Sequence, residues 1–252
     1  MRKALVSGFV WFAVAAAALS ATGQAQPPKP VIPSAPAKLA VVVLDPAHGG
    51  SDSGARGPAG NIESEVVLDF GRAVRVALEA QGFRALLTRE GNQGPSFDER
   101  STLINGLPDA VFVSLHVSST GPVGTARAYF YAVHPAPSAA QAPPGAAPRP
   151  PGLIEWDRAQ EPFIDLSRRL AELAQIQLAQ QFGGSPETPQ AAPLRQLRTV
   201  AAPAIAIEVS SVAADPSRLT QMGQPLGEAL ARAAAAFRQA LGEKAIEPGP
   251  AR

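Results

Sequence analysis

The sequence contains no cysteine. That absence excludes disulfides, thiol nucleophiles and sulfur-ligated metal sites, and leaves His, Asp and Glu as the side chains able to ligate a metal. It also excludes a lipid-anchored export signal, which needs a cysteine after the cleavage point. Aromatic residues make up only 6% of the chain, and there are three histidines in 252 residues, so each histidine weighs heavily in any candidate site. Basic charge is not in excess either. The formal net charge is +1, and removing Arg2 and Lys3 from the 22 basic residues leaves 20 against 21 acidic ones, a net of −1. A nucleic-acid partner normally demands a basic surplus, so none is expected. The HExxH helix of zinc proteases, the GxxxxGK[ST] phosphate loop and the GxGxxG dinucleotide turn are all missing. No internal repeat is visible.

The first 25 residues read as a signal peptide. Arg2 and Lys3 form a short positive start, an uncharged apolar run spans Ala4 to Ala21, and Gly23-Gln24-Ala25 supplies small residues for cleavage after Ala25. The apolar run is long enough to cross a bilayer, so an uncleaved anchor is the alternative. Once cleaved, the chain is expected in the periplasm or outside the cell, with no stable membrane span. Residues 26–37 (QPPKPVIPSAPA) form a Pro-rich tether. The folded domain is expected over residues 38–242, with a loose tail over 243–252. A Pro/Ala-rich stretch, His134 to Gly152, fits neither a helix nor a central strand and reads as a loop inserted into the domain. His134 at its start is read as an exposed loop residue, with an extra metal ligand as the alternative.

Between these breaks strands and helices alternate. Leu39–Leu44 (LAVVVL), Ala110–Leu115 (AVFVSL) and Ala204–Ile207 (AIAI) are short continuous apolar runs, the pattern of strands buried on both faces. Phe83–Thr88 and Ala126–Val133 are two further strands. Helical spacing over Ser64–Gln81 places Val67, Phe70, Val74 and Leu78 on one face, and Gly82 follows as a stop. Asp98–Leu107 predicts a short helix, Phe163–Phe182 a long one and Pro225–Leu241 a closing one, while Gly183–Pro193 reads as a break. The pattern predicts an α/β fold: a single domain with a twisted, mainly parallel sheet flanked by helices.

The chemistry-bearing residues follow the buried runs. His48 lies just past LAVVVL in DPAHGG, His116 directly follows AVFVSL, and Glu208 directly follows AIAI. Open α/β sheets bind ligands at the carboxyl ends of their strands, so parallel neighbours would bring two imidazoles and a carboxylate to one rim. A catalytic zinc site has three protein ligands and one open position. With two histidines on hand, the third ligand should be a carboxylate, and Glu63 and Glu65 at the start of the first helix are the nearest candidates. Acids also favour helix starts for capping reasons alone. Glu63 precedes the apolar face and can reach back to His48, whereas Asp69 lies a turn or more into the helix. Glu208 is then left to act as a base. Leu153–Phe163 carries Trp156 between two acids, and is read as a segment anchored on the core by Trp156 or, alternatively, as a lid over the cleft.

The motifs resemble the zinc-dependent N-acetylmuramoyl-L-alanine amidases of the type-3 family over about residues 39–241. LDPAHGGSDSGARGPAGNIESEVVLD is similar to the family's opening block, DPGHGG followed by a glycine-rich turn and E-x-D-x-x-L-D. LTRE and FDER with Asn105, then VFVSLHVSS and GTARAYFY, resemble the middle blocks. LRTVAAPAIAIEVSSV resembles the closing one. The resemblance implies a Zn²⁺ cofactor held by His48, Glu63 and His116, with Glu208 as the catalytic glutamate. It also implies hydrolysis of the bond between the lactyl group of N-acetylmuramic acid and L-alanine, so the expected partners are peptidoglycan or muropeptides. Three departures stand out: Ala47 for a glycine, Ser118 for an asparagine, and VSSV after Glu208. A non-catalytic peptidoglycan-binding module, or another zinc-dependent wall hydrolase, is the alternative.

Overall fold

The computed structural model describes residues 38–132 and 154–246. The signal segment, the tether, the 134–152 stretch with His134 and the last six residues lie outside the described residues. The elements run β1 (Val41–Pro46), α1 (Glu63–Ala80), β2 (Arg84–Leu87), α2 (Phe97–Asn105), β3 (Ala110–Ser118), β4 (Thr125–Tyr131), α3 (Ile164–Gln181), β5 (Gln190–Ala192), α4 (Arg195–Arg198), β6 (Ala204–Ser210) and α5 (Pro216–Ile246). Six strands form one sheet in the order β2-β1-β3-β6-β4-β5. The strands β2, β1, β3 and β6 are mutually parallel, β4 runs antiparallel to β6, and β5 runs parallel to β4. The expected mainly parallel sheet is present, and the three strands that carry His48, His116 and Glu208 are adjacent in it.

Side chains alternate across each strand, and the two faces of the sheet differ. One face is apolar along its length. Val42, Leu44, Val113, Leu115, Val117, Ile205, Ile207 and Val209 pack there with α1, α3 and α5 residues such as Phe70, Leu178 and Phe237. The other face is apolar only in its first half, where Val41, Val43, Phe112, Ala204 and Ala206 meet Ile104 and Leu197 from α2 and α4. Towards the carboxyl ends the same face carries Asp45 on β1, Ser114 and His116 on β3, and Glu208 on β6. Burying those groups under a helix would strand polar atoms. Instead Asp45 and Ser114 are buried but hydrogen-bonded to each other, and the face opens at the half-buried His116 and Glu208.

The structure differs from the sequence reading at the closing helix and within the Gly183–Pro193 break. Pro225 reads as the first turn of a helix because proline lacks an N–H and clashes within a helix interior. The helix in fact starts nine residues earlier, at Pro216, with Pro225 inside it. Packing outweighs that penalty: Leu219, Met222 and Leu226 are buried against α1 and the sheet. Gly227 permits the close approach, because a Cβ there would sit 2.9 Å from the Ala73 carbonyl oxygen. The Gly183–Pro193 break contains the edge strand β5, whose three residues QAA are too short for an alternation to register.

Candidate metal and catalytic centre

His48 sits in a turn that two buried guanidiniums hold in place. Arg89 donates to the carbonyls of Pro46 (2.8 Å), Ala47 (2.9 Å) and Ser64 (2.6 Å). Arg100 donates to the His48 carbonyl at 2.8 Å and forms an ion pair with buried Asp45. His48 itself has φ +63°, a left-handed conformation that costs a non-glycine residue energy unless its surroundings impose it. Three successive carbonyls tied to fixed cations supply that constraint. Ala47 keeps a negative φ, which explains why alanine serves where the family has glycine. On its outer side the His48 ring places Nδ1 2.8 Å from Asp52 Oδ2.

Glu63 is the first residue of α1 and its carboxylate is buried. Its Oε2 accepts from the Ala55 N–H at 2.8 Å and its Oε1 from the Val117 N–H at 3.0 Å. Oε1 also lies 3.1 Å from His48 Nε2 and 3.2 Å from His116 Nδ1. Burial alone would push this carboxyl up, but the hydrogen bonds from His116, His48 and the two backbone amides outweigh it and hold the group far below the usual carboxylate range. Glu65 and Asp69 are exposed and line a separate groove between α1 and α5.

The polar row on the open face decides which nitrogen of His116 carries the proton. Asp45 accepts from Thr88 Oγ1 (2.6 Å), from Arg100 and from Ser114 Oγ (2.9 Å). A hydroxyl has one proton, and Ser114 gives it to the carboxylate. Its lone pair therefore faces His116 Nε2 at 3.3 Å, which places the ring proton on Nε2. Gln196 sets its side-chain Nε2 3.3 Å from the same nitrogen. By the same reasoning Asp52 keeps the His48 proton on Nδ1. Both rings then direct lone pairs at the Glu63 carboxylate, an arrangement that requires a cation between them.

One metal ion between the three groups would supply that cation. The three ligand atoms of His48, Glu63 and His116 lie within 4.8 Å of one another, a group able to hold a metal. The two contacts at 3.1 and 3.2 Å approach the edge of roughly 3.3 Å expected for a tetrahedron with bonds of about 2.0 Å. Outer carboxylates and hydroxyls that orient ligating imidazoles typically change metal affinity about 10–100-fold when removed. Ser114→Ala is expected to weaken zinc binding by that amount, with Ser114→Thr restoring much of it. Competition against a coloured chelator measures this, and unchanged affinity in Ser114→Ala would contradict the assigned proton positions.

In the metal-free protein the hydrogen bond to Glu63 raises His48 to about 8, against the opposing effect of burial and with help from Asp52. A raised histidine stabilises the metal-free fold below its unfolded value of about 6.5, and that contribution is lost as pH rises through about 8. A metal ion must displace this proton. Zinc affinity is expected to rise about tenfold per pH unit up to about pH 8 and then level off. Calorimetry in buffers of different ionisation enthalpy should detect a released proton at pH 7, and none would speak against this reading.

Glu208 stands beside the triad without belonging to it. On β6 it is in register with His116 on β3 and with Arg127 on β4, so the three side chains share a face. Tyr129 OH donates to Glu208 Oε1 at 3.4 Å. The strands β3 and β6 run on past the apolar stretches to Ser118 and Ser210, so His116 and Glu208 lie within strands and not just beyond them. A cavity of about 520 Å³ opens in front of the imidazoles, bordered by Asp52, Phe97, Arg195 and Gln196. Trp156 is not a core anchor: it is 46% exposed, and its indole N–H donates to Asp98 in the first turn of α2 at 3.0 Å. Asp52, the Asp45–Ser114 pair and Tyr129 were not singled out from sequence. The i,i+4 spacing of His48 and Asp52 and the acid of DPAHGG were the available signals.

Fold and rim together define an α/β sandwich with a His-Glu-His candidate metal triad at the carboxyl edge of its sheet. Residues 42–234 match the family described as N-acetylmuramoyl-L-alanine amidase, and the chain belongs to that family. It is 37% identical over 91 residues to N-acetylmuramoyl-L-alanine amidase AmiA of Escherichia coli, covering 36% of this chain and 32% of that one. It is also 37% identical over 92 residues to the sporulation-specific N-acetylmuramoyl-L-alanine amidase of Bacillus subtilis, covering 36% and 35%. The chain thus spans about a third of the length of the curated relatives it matches. The solved structure of N-acetylmuramoyl-L-alanine amidase AmiC2 of Nostoc punctiforme superimposes with a TM-score of 0.58 at 25% identity, over 82% of this chain and 99% of that one. No helix among the described residues is long and apolar enough to cross a membrane.

Proposed function

We propose that this protein hydrolyses the amide between N-acetylmuramic acid and L-alanine in peptidoglycan, with His48, Glu63 and His116 holding Zn²⁺ and Glu208 as general base. The observation that carries the reading is the cross-strand row: Glu208, a carboxylate outside the candidate ligand set, lies in register with the candidate ligand His116 on the neighbouring strand. A bound zinc ion would polarise the scissile carbonyl and lower the pKa of a water to about 7. Glu208 takes the proton of the attacking water and returns it to the L-alanine nitrogen as the carbon–nitrogen bond breaks. Tyr129, hydrogen-bonded to Oε1, holds the carboxylate in place for both transfers. Asp45, Ser114 and Asp52 keep the imidazole protons on the outer nitrogens. Residues 1–25 direct export, and 26–37 tether the domain, which puts it in the compartment that holds the substrate. Chelation should abolish the release of new L-alanine amino termini from purified peptidoglycan, and added zinc should restore it. Undiminished release after complete metal removal, verified by elemental analysis, would overturn the reading.

A further inference from the structure

The cavity in front of the imidazoles has a second polar wall that the metal centre does not use. Arg195, the first residue of α4, places its guanidinium 5.1 Å from the centroid of the Phe97 ring, within cation–π range. Arg195 is exposed, Phe97 is 42% exposed, and both border the cavity that contains His48 and His116. The acids next to Phe97 are engaged elsewhere. Asp98 accepts the Trp156 indole N–H at 3.0 Å. Glu99 is occupied by the backbone and hydroxyl of Ser96, at 2.7 and 2.9 Å, in the capping box of α2. The other guanidinium in the cavity wall, Arg100, is spent on Asp45 and on the carbonyls of Pro46 and His48. Among the described residues, Arg195 has an aromatic face for a partner and no carboxylate.

Stacking uses the face of a guanidinium and leaves its in-plane N–H donors free. A planar fork held by a ring beside a cleft suits a carboxylate, which it can bind through two parallel hydrogen bonds. In a muramoyl peptide the lactyl carboxyl is consumed in the scissile amide, so the free acids lie on the peptide side. We propose that Arg195, held on Phe97, is a carboxylate-binding subsite that seats the acidic stem peptide and sets the direction in which substrate crosses the metal centre. This rests on the amidase reading above. It adds that the enzyme selects peptides with a free acid next to the cleaved alanine.

The test compares two soluble muramoyl peptides that differ only in the residue after L-alanine, which carries either a free α-carboxylate or its carboxamide. The zinc-loaded protein should prefer the free acid by about tenfold in kcat/KM, mainly through KM. Arg195→Gln should bring the two substrates within about twofold, and Arg195→Lys should restore part of the preference. Equal rates for the two substrates in the parent protein, or a preference that survives Arg195→Gln, would overturn the subsite. Calorimetry with the corresponding free stem peptides reports binding without turnover. Cleavage of neither substrate would overturn the amidase reading, while tighter binding of the acidic peptide that disappears in Arg195→Gln would still uphold the subsite.

Discussion

Glu208→Gln is expected to lower turnover by about 10²–10⁴-fold while leaving zinc bound at full stoichiometry. Glutamine keeps the length and the hydrogen bond with Tyr129 but cannot take a proton at neutral pH. The metal should stay because Glu208 lies outside the His48, Glu63 and His116 group. Its place on β6 is set by a ladder of buried neighbours, Ile205, Ile207 and Val209, so the substitution does not disturb the sheet. Turnover of a soluble muramoyl peptide and zinc content measured on the same sample check both halves. Full activity in the variant would remove Glu208 from the mechanism, and loss of zinc would place it among the ligands instead.

Gly54→Val is expected to weaken metal binding by at least about 100-fold, through a residue that touches no metal. Gly54 has φ +63°, and a Cβ there would lie 2.6 Å from Glu63 Oε2 and 2.7 Å from His48 Cδ2. The nearest groups are two of the three candidate ligands, held by the Ala55 N–H and by Asp52, so neither can yield without leaving its position. A β-branched residue adds backbone strain of about 1–3 kcal/mol at this φ. Gly60→Val is the control: it also has positive φ, at +89°, but nothing lies within 4 Å of its added Cβ. It should show the strain in its thermal midpoint and bind zinc normally. Equal loss of zinc in both variants would mean that loop strain, and not the collision with Glu63 and His48, is responsible.

The parts of this molecule that were legible in the sequence are those with a local signature. LAVVVL, AVFVSL and AIAI announce themselves as strands because burial on both faces requires continuous apolar residues. His48, His116 and Glu208 stand out because each follows such a run, and the parallel order β1-β3-β6 makes that coincidence a site. What escaped depends on tertiary neighbours. The proton on His116 is set by Asp45 through Ser114, 69 residues apart in the chain. The turn at His48 is held by Arg89 and Arg100, which the sequence marks only as members of the LTRE and FDER blocks, without a sign of the carbonyls they bind. The first nine residues of α5 were hidden by Pro225, whose local penalty is overridden by packing against α1. Trp156 reads as a core residue from its type alone, yet its hydrogen bond to Asp98 keeps it at the surface.

The central claim is that this centre cuts one particular bond. Mass spectrometry of the soluble products released from purified peptidoglycan by the zinc-loaded protein tests it most directly. The account predicts stem peptides that begin with a free L-alanine amine, and glycan strands whose muramic acids carry a free lactyl carboxylate. Products cut within the peptide, or sugars that have lost acetyl groups with the lactyl amide intact, would contradict it.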